Sequence, residues 1–181
     1  MAIQPEFSHP VAVDSLIPDK PRRVRLAATA EECAALASRF DLQCLSGLTA
    51  DLAVTRIAEG NIIKVEGDFE AEVVQTCVVS LQGVPAEIRA HLDTYFTEDG
   101  KEGFDGDEAA DAAMEEEFPD TVMENGQLDL GELVAQYLAL ELDPYPRAPG
   151  VGLAAQLTEN GGEKPNRPFE VLKNLTAKKD E

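Results

Sequence analysis

Three observations on this 181-residue chain predict an α+β fold. Apolar residues alternate with period two over three successive segments, two other segments carry apolar stripes near a 3.6-residue period, and short turn-forming stretches separate the alternating segments. The expected architecture is an antiparallel meander, open or curled toward a barrel. Two helices cover its apolar face, and a mobile acidic loop interrupts the chain before the second helix. One domain is expected over 1–181, with a flexible acidic insert at 97–127 and a loosely packed tail at 153–181.

Residues 1 to 28 mix apolar pieces with Pro5, Pro10, Pro18 and Pro21, which predicts an edge strand near Phe7 to Val13 and a second extended piece through Val24 and Leu26. Between these pieces lies the densest basic cluster, Lys20, Arg22, Arg23 and Arg25. It reads either as a solvated strand edge guarded by charge or as a docking patch for an anionic partner. Thr29 to Phe40 follows as a helix. Thr29 and Glu32 form a capping box, and Cys33, Leu36, Ala37 and Phe40 recur at i, i+3, i+4 and i+7, so Cys33 is expected in the core.

From Leu42 the period changes to two. Leu48, Ala50, Leu52 and Val54 alternate with polar or small neighbours, and Glu59-Gly60-Asn61 supplies a turn. Ile63, Val65, Phe69, Ala71 and Val73 then face one way, and Lys64, Glu66, Asp68, Glu70 and Glu72 the other. Gly67 falls on the apolar face, where glycine marks a bulge or a close approach of another element. After a turn at Val78 to Gly83, the residues Val84, Ala86, Ile88, Ala90, Leu92 and Phe96 alternate with Glu87, Arg89, His91, Asp93 and Tyr95.

The stretch 97–127 holds 12 of the 35 acidic residues against Lys101 alone, which is −11 of the net −20. Such a segment buries too little apolar surface to offset its ordering entropy. Asp129 next caps a helix, with Glu132 three positions on in a capping-box-like pattern. Leu130, Leu133, Val134, Tyr137, Leu138 and Leu140 form its expected buried face, and Pro144 and Pro146 end it by Asp143. A short amphipathic piece, Pro168 to Leu175, closes the chain.

Composition narrows the function classes. A net charge of −20 and a pI near 4.3 oppose a large nucleic-acid footprint, DNA included, and an acidic membrane surface. No apolar run approaches the roughly 18 residues of a membrane span. The N-terminus lacks a signal-peptide pattern, so a cytoplasmic location is expected. Cys33, Cys44 and Cys77 are odd in number and widely spaced, which suits reduced thiols.

The motifs of catalysis and metal binding fail on inspection. Asp105, Asp107, Asp111 and Glu116 crowd one segment, but a calcium loop starting at Asp105 would place Ala109 and Ala110 at its fifth and sixth positions. Three cysteines and two histidines, no two close in sequence, do not make a zinc site. A Cys77 nucleophile with His91 as base would need side chains from opposite faces of one sheet to converge. No glycine-rich phosphate loop, G-x-S-x-G or H-E-x-x-H occurs. On these grounds no catalytic residue, cofactor or metal is assigned. An enzyme without a recognisable motif, using a groove beside the 127–143 helix, is the alternative class.

Three segments carry a resemblance. Glu72-Val-Val-Gln-Thr-Cys-Val-Val-Ser-Leu-Gln-Gly-Val84, then Leu128-Asp-Leu-Gly-Glu-Leu-Val134 running into Asp143-Pro-Tyr-Pro-Arg147, and Asn166-Arg-Pro-Phe-Glu-Val-Leu172 are similar in order and spacing to the YceD family of large ribosomal RNA subunit accumulation proteins, in its alphaproteobacterial form. The resemblance spans roughly residues 20 to 175. It implies a non-enzymatic cytoplasmic factor for 23S ribosomal RNA accumulation and large-subunit biogenesis, acting through ribosomal RNA or a basic large-subunit ribosomal protein. Lys20, Arg22, Arg23, Arg25, Arg147 and Arg167 are the candidate partner-binding residues. The acidic stretch Glu98 to Glu124 suggests a further alternative, electrostatic chaperoning of such a basic protein. Many members of the family carry a C-x-x-C pair where this chain has Val74-Gln-Thr-Cys77, so no metal or redox role is expected there, and Val74 is expected in the core.

Overall fold

The computed structural model describes residues 5–57, 62–97, 120–121 and 126–151. The elements run β1 (Pro10–Ala12), a single 3-10 turn (Val13–Ser15), β2 (Arg22–Ala27), α1 (Ala30–Arg39), β3 (Cys44–Ile57), β4 (Ile62–Thr76), β5 (Gly83–Thr97), β6 (Asp120–Thr121), β7 (Gln127–Asp129) and α2 (Leu130–Glu141). Strands β2 to β5 form the expected antiparallel meander, in the order β2-β3-β4-β5. The two-residue β6 adds in parallel beside Phe96 and Thr97, inside the stretch expected as a loop. Among the described residues the sheet stays open and does not close into a barrel.

The inner face is the core. Ala50, Leu52 and Val54 of β3, Ile63, Val65, Phe69, Ala71 and Val73 of β4, and Ile88, Leu92 and Phe96 of β5 join Cys33 and Leu36 of α1 and Leu130, Leu133, Val134 and Leu138 of α2 in one buried cluster. Period-two alternation holds along β4 because every second side chain meets this cluster. In β3 the parity changes once. Register shifts between Ser46 and Thr49, where Gly47 at φ 63° takes the extra residue of a bulge, so Leu45 and Leu48 both turn inward. Gly67 answers the second of its two expectations. It lies between Leu52 and Leu92, and a Cβ built on it would overlap the Asp51 carbonyl oxygen and come within 2.8 Å of Leu52 Cα. Ala86, assigned to the apolar face, is exposed because β5 there runs past the helices.

The helix starts follow local chemistry. Thr29 and Glu32 close a complete capping box on α1, and Asp41 at φ 55° ends it, with Leu42 N–H donating to the Ala37 carbonyl at 2.9 Å. On α2 the box is half made. Asp129 accepts from Gly131 N–H and Glu132 N–H, but the Glu132 carboxylate turns away to Arg39. Leu140 does not belong to the buried face. It is 77% exposed in the last turn of the helix, although it lies within about 20° of the buried Leu133 seven residues before it.

The first strand also differs from expectation. Within the expected edge strand near Phe7 to Val13, Pro10–Ala12 forms β1, which pairs with β7 in a separate two-stranded sheet rather than with the meander, Pro10 opposite Asp129 and Ala12 opposite Gln127. The reason is the Asp129 carboxylate, which accepts from Ser8 Oγ at 2.5 Å and His9 N–H at 2.7 Å and so draws this segment to the start of α2. The 59–61 turn, most of the acidic insert with its calcium-loop candidates, Arg167, the 153–181 tail and the Pro168–Leu175 piece lie outside the described residues.

Candidate interaction surfaces

Helices cover one face of the sheet, and among the described residues no element packs on the other. Register places on this outer face Arg23 and Arg25 from β2, Asp51 from β3, Lys64, Glu66, Asp68, Glu70 and Glu72 from β4, and Glu87, Arg89, His91 and Asp93 from β5. Seven carboxylates thus share the face with four Arg or Lys side chains, and three of these cations, Arg25, Lys64 and Arg89, are engaged. Arg25 donates to Asp51 at 2.7 Å. Lys64 sits 2.6 Å from Glu66 and 3.4 Å from Asp93. Arg89 pairs with Glu87 and approaches Glu70. The Glu66 hydrogen bond raises the Lys64 pKa, and the same bond lowers that of Glu66. His91 Nδ1 lies 2.9 Å from Asp68. Shallow hollows lie along this face, one of them bordered by Thr49, Asp51, Glu70 and Arg89.

The five described candidates, Lys20, Arg22, Arg23, Arg25 and Arg147, do not gather into one patch. Arg22, Arg23 and Arg25 lie on one edge strand, whose side chains alternate between its faces. Arg22 shares parity with the inward Val24 and Leu26 and donates to Ser15 Oγ at 3.0 Å, while Arg23 and Arg25 look outward. Lys20 is exposed in the turn before β2. Arg147 is exposed beyond α2, beside the β4–β5 turn. In register Arg25 is level with Asp68, nine residues before Cys77, so it is roughly 30 Å along the sheet from the Arg147 end.

That far end is the most elaborated local structure. Cys77 closes β4 with no exposed surface. Its Sγ accepts from Ser80 N–H at 3.4 Å and from Ala148 N–H at 3.3 Å, while Val78 N–H donates to the Pro146 carbonyl at 2.9 Å. Gln75 Nε2 adds a bond to the Asp143 carbonyl at 2.9 Å. The β4–β5 turn and the segment after α2 are thereby one unit. The Ser80 side chain, then the Ala148 and Ser80 amides, stabilise the thiolate and hold Cys77 well below its ordinary value, at about 6, against the opposing effect of burial.

Val74 corrects an expectation. It is half-buried on the outer face opposite Cys44, not in the core, and three residues along a strand puts it on the side away from Cys77. The residue that does turn back to Cys77 is Ser80, at the same three-residue spacing but on the turn side. His91 and Cys77 stay apart, as the strand parity requires. Among the described residues no three His, Cys, Asp or Glu side chains are placed to share a metal ion. Nor is any described helix long and apolar enough to cross a membrane.

A third constellation is structural. Arg39 at the end of α1 reaches Glu132 at 2.7 and 2.8 Å and Glu6 at 3.0 Å, joining both helices and the N-terminal segment. The Glu132 bond raises the Arg39 pKa and depresses that of Glu132. Sequence reasoning missed this bridge. The spacing of 93 residues between the partners carries no local signal.

Comparison with known families decides the membership. The sequence profile of the family described as large ribosomal RNA subunit accumulation protein YceD matches residues 65–176, more than half of the chain. The chain belongs to the YceD family. Neither the curated proteins nor the solved structures include a match to it. The matched span holds most of β4, all of β5, the Cys77 turn, α2 and the segment after it. It begins after the Lys20–Arg25 cluster, which the wider resemblance had taken in. The family's description names a role in accumulation of the large ribosomal RNA subunit and no catalysis.

Proposed function

We propose that this YceD-family chain supports large-subunit RNA accumulation as a non-catalytic cytoplasmic factor, and that it does so by engaging a basic protein rather than RNA. The outer face carries this reading. Its Arg25, Lys64 and Arg89 are already matched by carboxylates, and carboxylates outnumber cations across it. A phosphate backbone approaching that surface would displace existing ion pairs and meet excess negative charge, whereas a cationic protein would gain at each unmatched carboxylate. The split of Arg22 from Arg23 and Arg25 adds to this, because no run of parallel phosphate contacts is available to an edge strand whose arginines point both ways.

Depletion tests the role. Loss of the protein lowers mature 23S RNA relative to 16S RNA and depresses the large-subunit peak on a gradient; an unchanged ratio with normal peaks refutes it. Capture of purified basic large-subunit proteins at about 0.15 M salt, where screening acts within roughly 8 Å, tests the partner class. Comparing the full chain with one lacking Glu98 to Glu124 separates the contribution of the acidic insert from that of the sheet.

A further inference from the structure

Four of the five large hydrophobic side chains exposed among the described residues come from two short segments. Val78 (49%), Leu81 (74%), Leu140 (77%) and Tyr145 (70%) belong to the β4–β5 turn and to the end of α2 with the residues after it; only Ile17 lies elsewhere. The two segments are not loose. Val78 N–H to the Pro146 carbonyl, Ala148 N–H to Cys77 Sγ and Gln75 to the Asp143 carbonyl tie them together, and Tyr145 N–H is further fixed by the Asp143 carboxylate at 2.9 Å.

Leu81 adds an independent observation. It holds φ 61°, a left-handed conformation that disfavours any residue with a Cβ, although Gly83 stands two positions away. The Leu81 N–H closes the turn on the Cys77 carbonyl at 3.0 Å, but its side chain, 74% exposed, is left in water and adds nothing to the core. Strain and exposure coincide at one side chain, and the pattern is that of a pre-set anchor.

We infer that this apolar end, Val78, Leu81 and Tyr145 with Leu140 beside them, docks an apolar anchor of a basic protein segment. Charge selects that occupant. Glu141 and Asp143 border the patch, and Glu72 lies four residues before Thr76, roughly 13 Å away. Arg147 is the cation among them. A second copy of a chain carrying −20 would bring like charge against like, and nucleic acid meets the same repulsion. The patch also lies within the residues matched to the family, 65–176. The inference rests on the basic-protein reading above and deepens it by naming the contact.

The test uses the full chain, a double variant L81G/Y145S, and an outer-face variant E70Q/E87Q. The glycine accepts the positive φ, and Tyr145 is exposed, so the double variant keeps its fold, as circular dichroism verifies. The probe is the protein fraction stripped from purified large subunits, freed of RNA by nuclease and offered at about 0.15 M salt, with retained proteins identified by mass spectrometry. Retention of a discrete set of basic proteins by the native chain, falling about tenfold in the double variant and less in the outer-face variant, is the expected result. Equal retention by the native chain and the double variant, with loss in the outer-face variant, overturns the apolar anchor and leaves the basic-protein reading standing. No retention by the native chain overturns both. A native dimer that the double variant converts to monomer in sedimentation assigns the patch to a second copy and overturns the proposed occupant.

Discussion

Replacing Asp129 by alanine removes the joint between the N-terminal segment and α2. The carboxylate is buried, 9% exposed, and accepts four hydrogen bonds: Gly131 N–H at 3.0 Å and Glu132 N–H at 3.2 Å as the helix cap, His9 N–H at 2.7 Å and Ser8 Oγ at 2.5 Å from the segment across it. Loss of the cap costs about 1 kcal/mol. Loss of the two long-range bonds leaves donors without an ionised acceptor and costs about 1 kcal/mol each. The sum is about 3 kcal/mol, with the β1–β7 pairing failing first because Leu130 N–H to His9 carbonyl is its neighbour. Asparagine keeps an oxygen for the helix cap and loses the charge, for about 1 kcal/mol. Urea unfolding of D129A and D129N, with hydrogen exchange at Val11 and Leu128, measures both. Equal losses in the two variants, or a D129A loss under about 0.5 kcal/mol, would refute the joint.

Gly67→Ala forces a Cβ onto the Asp51 carbonyl and Leu52 Cα, both backbone, so it costs about 3 kcal/mol, the upper end of overpacking; thermal unfolding checks this, and a neutral variant contradicts the close approach. Leu81→Gly relieves the positive φ and is neutral or stabilising by up to about 1 kcal/mol, read from the same transition. Cys77 gives a pH signature. Its folded value near 6 lies below the ordinary 9.0, so its contribution is complete above pH 9, declines as pH falls, and is gone below pH 6. The urea midpoint of the native chain minus that of C77A therefore grows from pH 6 to pH 9, and a difference independent of pH would contradict the amide-held thiolate.

What the sequence made legible is local. The Thr29–Glu32 box, the stripe through Cys33 and Leu36, and the alternation along β4 each depend on residues within one turn or one strand, and each appears in the structure as expected. The misses are long-range. That β1 would leave the main sheet depends on Asp129, 120 residues from His9. That Glu132 would abandon the box depends on Arg39. The basic cluster was visible as composition, but its division between two faces follows from strand parity, and its distance from Arg147 from register. The apolar end left almost no trace. Val78 and Leu81 look like ordinary turn residues, and a positive φ falling on Leu81 instead of Gly83 is set by the Cys77 turn, not by propensity.

The proposed function requires that this YceD chain meet ribosome assembly through protein rather than RNA. Its most direct test is a titration of the full chain against a 23S RNA fragment across a range of salt, repeated with Lys20, Arg22, Arg23 and Arg25 replaced by alanine. Affinity weaker than about 1 µM at about 0.15 M salt, with little change in the fourfold variant, is the expected result. Submicromolar binding that falls steeply with salt, at a slope of about 0.7 per phosphate contact for single-stranded RNA, and vanishes in the variant would contradict it.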